Sequence, residues 1–186
     1  MIRLFYLLFC LPMVIMGCEN DIAAVNELFR AFEPGVEIAT DIDMLYSDSA
    51  LVRVRVQGPT LVRHLDKVKP HDEFPDGLHV DFMEIDGTIS STLDAEHGDR
   101  FTRDKKVIVR DNVVLQNTKG EKLETNELIW DELKGEVYTD RFVRITKPDE
   151  IILAYGFRAN QSFTEYELLK VVAKLKADEF QEELKN

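Results

Sequence analysis

The sequence holds only two cysteines in 186 residues, Cys10 and Cys18, and both precede Glu19. No disulfide framework and no cysteine-based zinc site can therefore brace the rest of the chain. A cysteine nucleophile or a C-x-x-C redox pair has no residue to use there. Nine glycines and six prolines are too few for a low-complexity or collagen-like chain. Basic residues are outnumbered, 23 against 35 acidic ones, for a net charge of −12. That excess repels phosphate backbones, so no nucleic-acid partner is expected, and a polybasic membrane-binding surface is disfavoured for the same reason. What remains is ordinary globular material. The chain is 45% hydrophobic and 31% charged, enough to build one core, and its length fits one domain with a short appendage.

The first 18 residues, MIRLFYLLFCLPMVIMGC, carry one charge, Arg3, before a nearly continuous apolar stretch from Leu4 to Met16. A positive start, a short apolar run and a small residue at the end read as a secretory signal. Ile15-Met16-Gly17-Cys18 is similar to the bacterial lipobox. The similarity implies cleavage after residue 17 and diacylation of Cys18, and two acyl chains anchor stably where one does not. The alternative is an uncleaved signal anchor. The run falls short of the roughly 20 residues that span a bilayer, and the lipoprotein reading is preferred. Residues 18–35 then read as a tether with a short amphipathic helix. Ile22, Val25, Leu28, Phe29 and Phe32 fall at helical spacing, ended by Pro34-Gly35.

From residue 36 the period is two. Leu51 to Val56 alternates apolar with basic side chains, and Leu78 to Phe82 alternates with polar ones. Val107–Arg110 and Val113–Gln116 follow as runs separated by Asp111-Asn112. Val137, Thr139, Val143, Ile145, Ile151 and Leu153 continue the pattern. Turn signals lie between the runs, among them Pro75-Asp76-Gly77, Asp86-Gly87, Lys119-Gly120 and Lys134-Gly135. The fold predicted is all-β, an antiparallel β-jelly-roll shaped as a partly open sandwich over residues 36–175, with a charged tail over 176–186. Residues 60–74 show no clear period and are expected to form a long loop. A last strand is expected after Phe163, with a short charged helix beyond it. An offset of 30 residues superposes Leu93 on Leu123, Val107 on Val137, Val113 on Val143 and Leu115 on Ile145, as repeated β units would.

Chemistry is hard to find. His64, His71, His79 and His97 have no mutual i, i+2 or i, i+4 spacing, so no metal site is expected. There is no G-x-S-x-G elbow, no phosphate-binding loop and no EF-hand pattern. Asp81 and Glu84 are a conceivable acid pair, but strand alternation places them on opposite faces. No catalytic residue and no cofactor are expected, and the chain reads as a non-enzyme.

Several segments carry a resemblance. They are Leu45-Tyr46-Ser47-Asp48-Ser49, Glu73 to Phe82 (EFPDGLHVDF), Ser91-Thr92-Leu93-Asp94-Ala95, and Gly120 to Asp131 (GEKLETNELIWD). Tyr138 to Ile145 (YTDRFVRI) and Gly156-Phe157 complete the set. In this order, from Asp41 to Tyr166, they resemble the periplasmic lipopolysaccharide-export protein C family, LptC, and in particular its lipoprotein-type members. The resemblance implies a periplasmic protein held at the inner membrane. It implies a jelly roll that passes the acyl chains of lipid A from the inner-membrane ABC transporter complex to a periplasmic jelly-roll bridge protein. Exposing an acyl chain of about a dozen carbons to water costs on the order of 10 kcal/mol, so such cargo needs an apolar path. The expected groove is the inward period-two set: Val52, Val54, Val56, Leu78, Val80, Phe82, Leu93, Val107, Val109, Val113, Leu115, Leu123, Val143, Ile145 and Leu153. The outward neighbours Arg53, Arg55, His79, Asp81 and Arg110 should touch water. Two other classes stay open: a scaffold lipoprotein that binds only protein partners through strand edges, and a glycan- or lipid-modifying hydrolase.

Overall fold

The structure is a computed structural model that describes residues 35–48, 51–160, 163 and 165–176. The leader, Cys18, the expected helix over 20–32 and the tail from residue 177 lie outside the described residues. Eleven strands make one antiparallel sheet. They are β1 (Val36–Asp48), β2 (Leu51–His64), β3 (His71–Phe74), β4 (Leu78–Met83), β5 (Ile89–Ala95), β6 (His97–Phe101), β7 (Lys106–Asn117), β8 (Lys122–Asp131), β9 (Glu136–Thr146), β10 (Glu150–Asn160) and β11 (Tyr166–Lys176). No described residue is helical.

The pairing shows how one sheet becomes a sandwich. The first half of β2 (Val54–Gln57) pairs with β4, and its last residues (Val62–His64) pair with β3 along the same edge. β7 does the same, pairing with β6 through Lys106–Arg110 and with β5 through Val114–Asn117. The long strands β1, β2 and β7 to β11 therefore cross from one leaf to the other. The short strands β4 and β5 belong to the first leaf, and β3 and β6 to the second. The fold is a jelly roll of taco shape.

The crease between the leaves is written in unusual backbone. Asp41, Asp111 and Asn112 all have left-handed φ values of 54°, 61° and 49°, and Gly156 has φ of 81°. Asp and Asn tolerate that region better than most residues. Register shifts fall beside these positions, between Arg110 and Val113, Thr125 and Ile129, and Tyr155 and Phe157. An extra residue at each shift bends its strand at the same level as its neighbour's. The two runs flanking Asp111-Asn112 are thus one bent strand. At the crease, Gly58 leaves room for the Gly77 carbonyl, which a Cβ would meet at 3.0 Å.

The expected loop over 60–74 is corrected by this geometry. Thr60–His64 completes β2 and His71–Phe74 forms β3, leaving a turn over 65–70. The period was hidden because Arg63 and Asp72 face inward at the sandwich end, as an ion pair of 2.8 Å, where an apolar residue would mark the frame. The 30-residue offset carries β7 onto β9, two strands along. Leu93 and Leu123 flank Leu115 from either side.

Candidate functional site

The inner surface is a single apolar cluster that runs from β2 to β10. Its centre is Val113, Val143 and Ala154, each with no exposed surface. Ten of the sequence-predicted inward residues belong to the buried cluster: Val56, Leu78, Val80, Leu93, Val109, Val113, Leu115, Leu123, Val143 and Ile145. Val54, Phe82 and Val107 pack against it while partly buried.

Two predicted inward positions are not there. Val52 pairs with Ser47, whereas Val54 pairs with Tyr46. β2 advances two residues while β1 advances one, and this bulge turns Val52 to the outer face. There it lines a shallow depression with Asp43, Leu45, Arg55 and Met83. Leu153 pairs with Arg144 and lies between Ile152 and Ala154, both of which are in the core. The run Ile151–Ala154 is apolar throughout, so alternation gives no frame. Pairing of Ile152 with Ile145 and Ala154 with Val143 sets it.

A third expectation, that Asp81 touches water, is also corrected: it is 6% exposed. Asp81 does sit on the outer face, level with Arg55 and Thr92. It is covered by a polar row. His79 lies 3.1 Å from Asp81 through Nε2 and 2.6 Å from Asp94 through Nδ1, and Arg55 grips Asp43 with two hydrogen bonds of 2.8 and 2.6 Å. The hydrogen bond to Asp94 raises the His79 pKa above its ordinary value, and Asp81 adds to the effect. Glu84 is exposed in the β4–β5 turn, so the conceivable acid pair does not converge.

Sequence reasoning missed other inner residues. Leu61 and Phe74 were hidden in the supposed loop. Leu128 follows the bulge after Thr125, where the inward frame changes from odd to even numbers. Phe157 and Ala159 change frame after Gly156. Trp130 packs against the cluster, and its buried indole N–H has no acceptor among the described residues. Its neighbour Asp131 is 4% exposed and accepts a hydrogen bond from the Lys134 backbone, fixing the β8–β9 turn.

The free rims of the two leaves meet opposite the crease. Tyr46, Val54 and Phe82 form a cross-strand row in the first leaf. Arg100, on β6 of the second leaf, lies over the Tyr46 ring at 5.1 Å and also reaches Glu132. Phe163, between β10 and β11, meets Phe82 edge to face. At the two ends of the sheet, β1 pairs only with β2 and β11 only with β10 among the described residues. Each of these strands leaves one backbone edge unpaired within the described sheet, and each exposes apolar side chains: Ile38 and Leu45 on β1, Leu169, Val171 and Val172 on β11.

A folded antiparallel sheet with an apolar interior, and with two end strands each unpaired along one edge among the described residues, defines a jelly-roll module. Residues 80–175, from β4 to β11 and just over half the chain, match the family described as Lipopolysaccharide-assembly, LptC-related. The chain belongs to that family, whose members are transport components and not enzymes, and its role is in lipopolysaccharide export. No curated protein matches the sequence.

Proposed function

We propose that this protein carries the acyl chains of lipid A between the leaves of its jelly roll, as the periplasmic link from the inner-membrane transporter to a bridging jelly roll. The observation that carries the reading is the continuity of the apolar cluster. It takes in residues of every strand from β2 to β10 except β6, with only the buried Thr125 and Thr139 between its members on β8 and β9. A closed core needs only enough burial to fold, whereas a conduit needs apolar lining from end to end. The interior is packed shut here, with its central residues at zero exposure. Lipid therefore enters by parting the rims at Tyr46–Arg100 and Phe82–Phe163, with the crease as hinge.

The unpaired edges supply the docking points. An exposed strand edge is a template for another chain's strand. β1 faces the transporter in this reading and β11 faces the bridge protein, the polarity that the family implies. The leader holds the domain at the inner membrane, through diacylated Cys18 or through an uncleaved anchor. Mass spectrometry of the membrane fraction distinguishes the two: a diacyl adduct on Cys18 is expected, and an intact residue 1–17 segment would replace it with the anchor.

The test of the groove is a photoreactive side chain placed at Val109 or Leu115, which are buried, and at Arg55, which is on the outer face. Lipopolysaccharide should be captured from the first two positions in an ATP-dependent way and not from the third. Equal capture from both faces would reject the groove. Capture from none, with both protein partners still bound, would favour the scaffold reading.

A further inference from the structure

We infer that the outer face of the second leaf holds a divalent metal site formed by His64, His71 and Glu73. Spacing along the chain gave no pair of histidines to suspect. The fold supplies the pair instead, because His64 on β2 and His71 on β3 are directly opposite each other in register. Glu73 is two residues from His71 and so projects from the same face of β3. One ligand atom from each of the three residues lies within 4.8 Å of the others.

The details suit an ion of the zinc class. His64 Nε2 is 2.8 Å from Glu73 Oε2, so one imidazole nitrogen and the carboxylate already converge. His71 Nδ1 lies 3.1 Å from the Lys69 carbonyl oxygen. A carbonyl only accepts, so the neutral ring donates from Nδ1 and keeps its lone pair on Nε2. A backbone carbonyl holding the non-ligating nitrogen is the usual support of a metal-bound histidine. Two imidazoles and one carboxylate make a ligand set that zinc takes with one position left open. Bonds of about 2.1 Å would set the ligand atoms roughly 3.4 Å apart in a tetrahedron, so the His64–Glu73 pair opens slightly while the wider separations close by at most about 1.4 Å, movements that side-chain rotation provides. The His64 and Glu73 side chains are 29% and 28% exposed, half-sunk and open to entry from solvent. His97 Nε2 stands 3.8 Å from Glu73 on the next strand, β6, so the ion would clip together the strands that close this end of the second leaf.

The site lies in the β2–β3 hairpin, ahead of the matched region, which begins at residue 80. Calorimetric titration of the metal-free full chain in detergent with zinc chloride tests it. One zinc per chain is expected, with the thermal unfolding midpoint raised by roughly 5 °C or more at saturating metal. His64→Asn, His71→Ala and Glu73→Gln should each weaken binding about tenfold or more, while His79→Ala, on the other leaf, should not. Circular dichroism of the variants confirms that they remain folded. X-ray absorption of the zinc-loaded protein should show nitrogen and oxygen neighbours. Binding of the same strength in all three variants would overturn the site, as would sulfur coordination, which would place the ion on Cys10 or Cys18.

Discussion

Phe82 on β4 and Phe163 between β10 and β11 meet edge to face, with ring centroids 6.2 Å apart and planes at 74°. The two residues are 81 positions apart and come from opposite rims of the folded sheet. Their contact, with that of Tyr46 and Arg100, bridges the open side of the sandwich and covers the apolar interior. If the interior takes up acyl chains, this pair is where it opens.

Phe163→Ala should therefore act twice. Loss of a half-buried ring and its aromatic contact should lower unfolding stability by about 1–3 kcal/mol in urea denaturation. Lipid capture from a photoreactive group at Leu115 should rise, because the rim no longer closes. A fall in capture by a folded variant would show that Phe163 guides the lipid and does not merely cover the groove.

Gly156 sets the bend of β10. Its φ is +81°, and a Cβ there would stand 3.0 Å from Leu169 Cβ and 2.8 Å from its Cδ1. Gly156→Ala should cost about 1–3 kcal/mol from backbone strain alone, with a further loss as β11 is pushed away. Gly120→Ala separates the two effects, since Gly120 has nearly the same φ and nothing within 4 Å. Equal losses in the two variants would mean that the contact with Leu169 contributes nothing.

His79 makes stability depend on pH in a defined direction. Asp94 on β5 and Asp81 on β4 face the imidazole, and Arg55 on β2 faces Asp81. The folded-state value is raised, so this contribution is complete below the unfolded value of about 6.5 and is lost as pH climbs through the folded one. The stability advantage of wild type over His79→Gln should be larger at pH 5.5 than at pH 8.5. It should be modest, because the His79 side chain is 38% exposed. An advantage that grows with pH would mean that the imidazole is neutral in this network.

Val172 on β11 is 57% exposed. Val172→Lys should leave the fold within about 0.5 kcal/mol of wild type, as exposed substitutions usually do. A lysine on an edge strand discourages pairing with another chain. Pull-down of a jelly-roll partner should weaken while retention of the transporter complex does not change. Loss of the transporter alone would reverse the polarity of the two edges.

Much of this protein is legible in the residue order. Apolar side chains recur at every second position from Val54 to Val56, from Leu78 to Phe82 and from Val113 to Leu115, which commits the chain to strands with one buried face. The acidic balance and the lack of cysteine after residue 18 excluded whole classes of function before any fold was known. Sequence order could not supply the frame wherever a strand bends. At Val52 a bulge reverses the side that alternation assigns, and at Leu153 an unbroken apolar run offers no alternation to read. Period two is a local rule, and one extra residue inverts it. Only the pairing with neighbouring strands restores it. The same holds for polar residues: burial of Asp81 beneath His79, and convergence of His64, His71 and Glu73, depend on which strands lie side by side. The sequence by itself determined that there would be a sheet with an apolar face. The tertiary structure decided where that sheet creases, which residues meet across the opening, and which polar groups on the outside come within reach of one another, because those distances are set between strands and not along them.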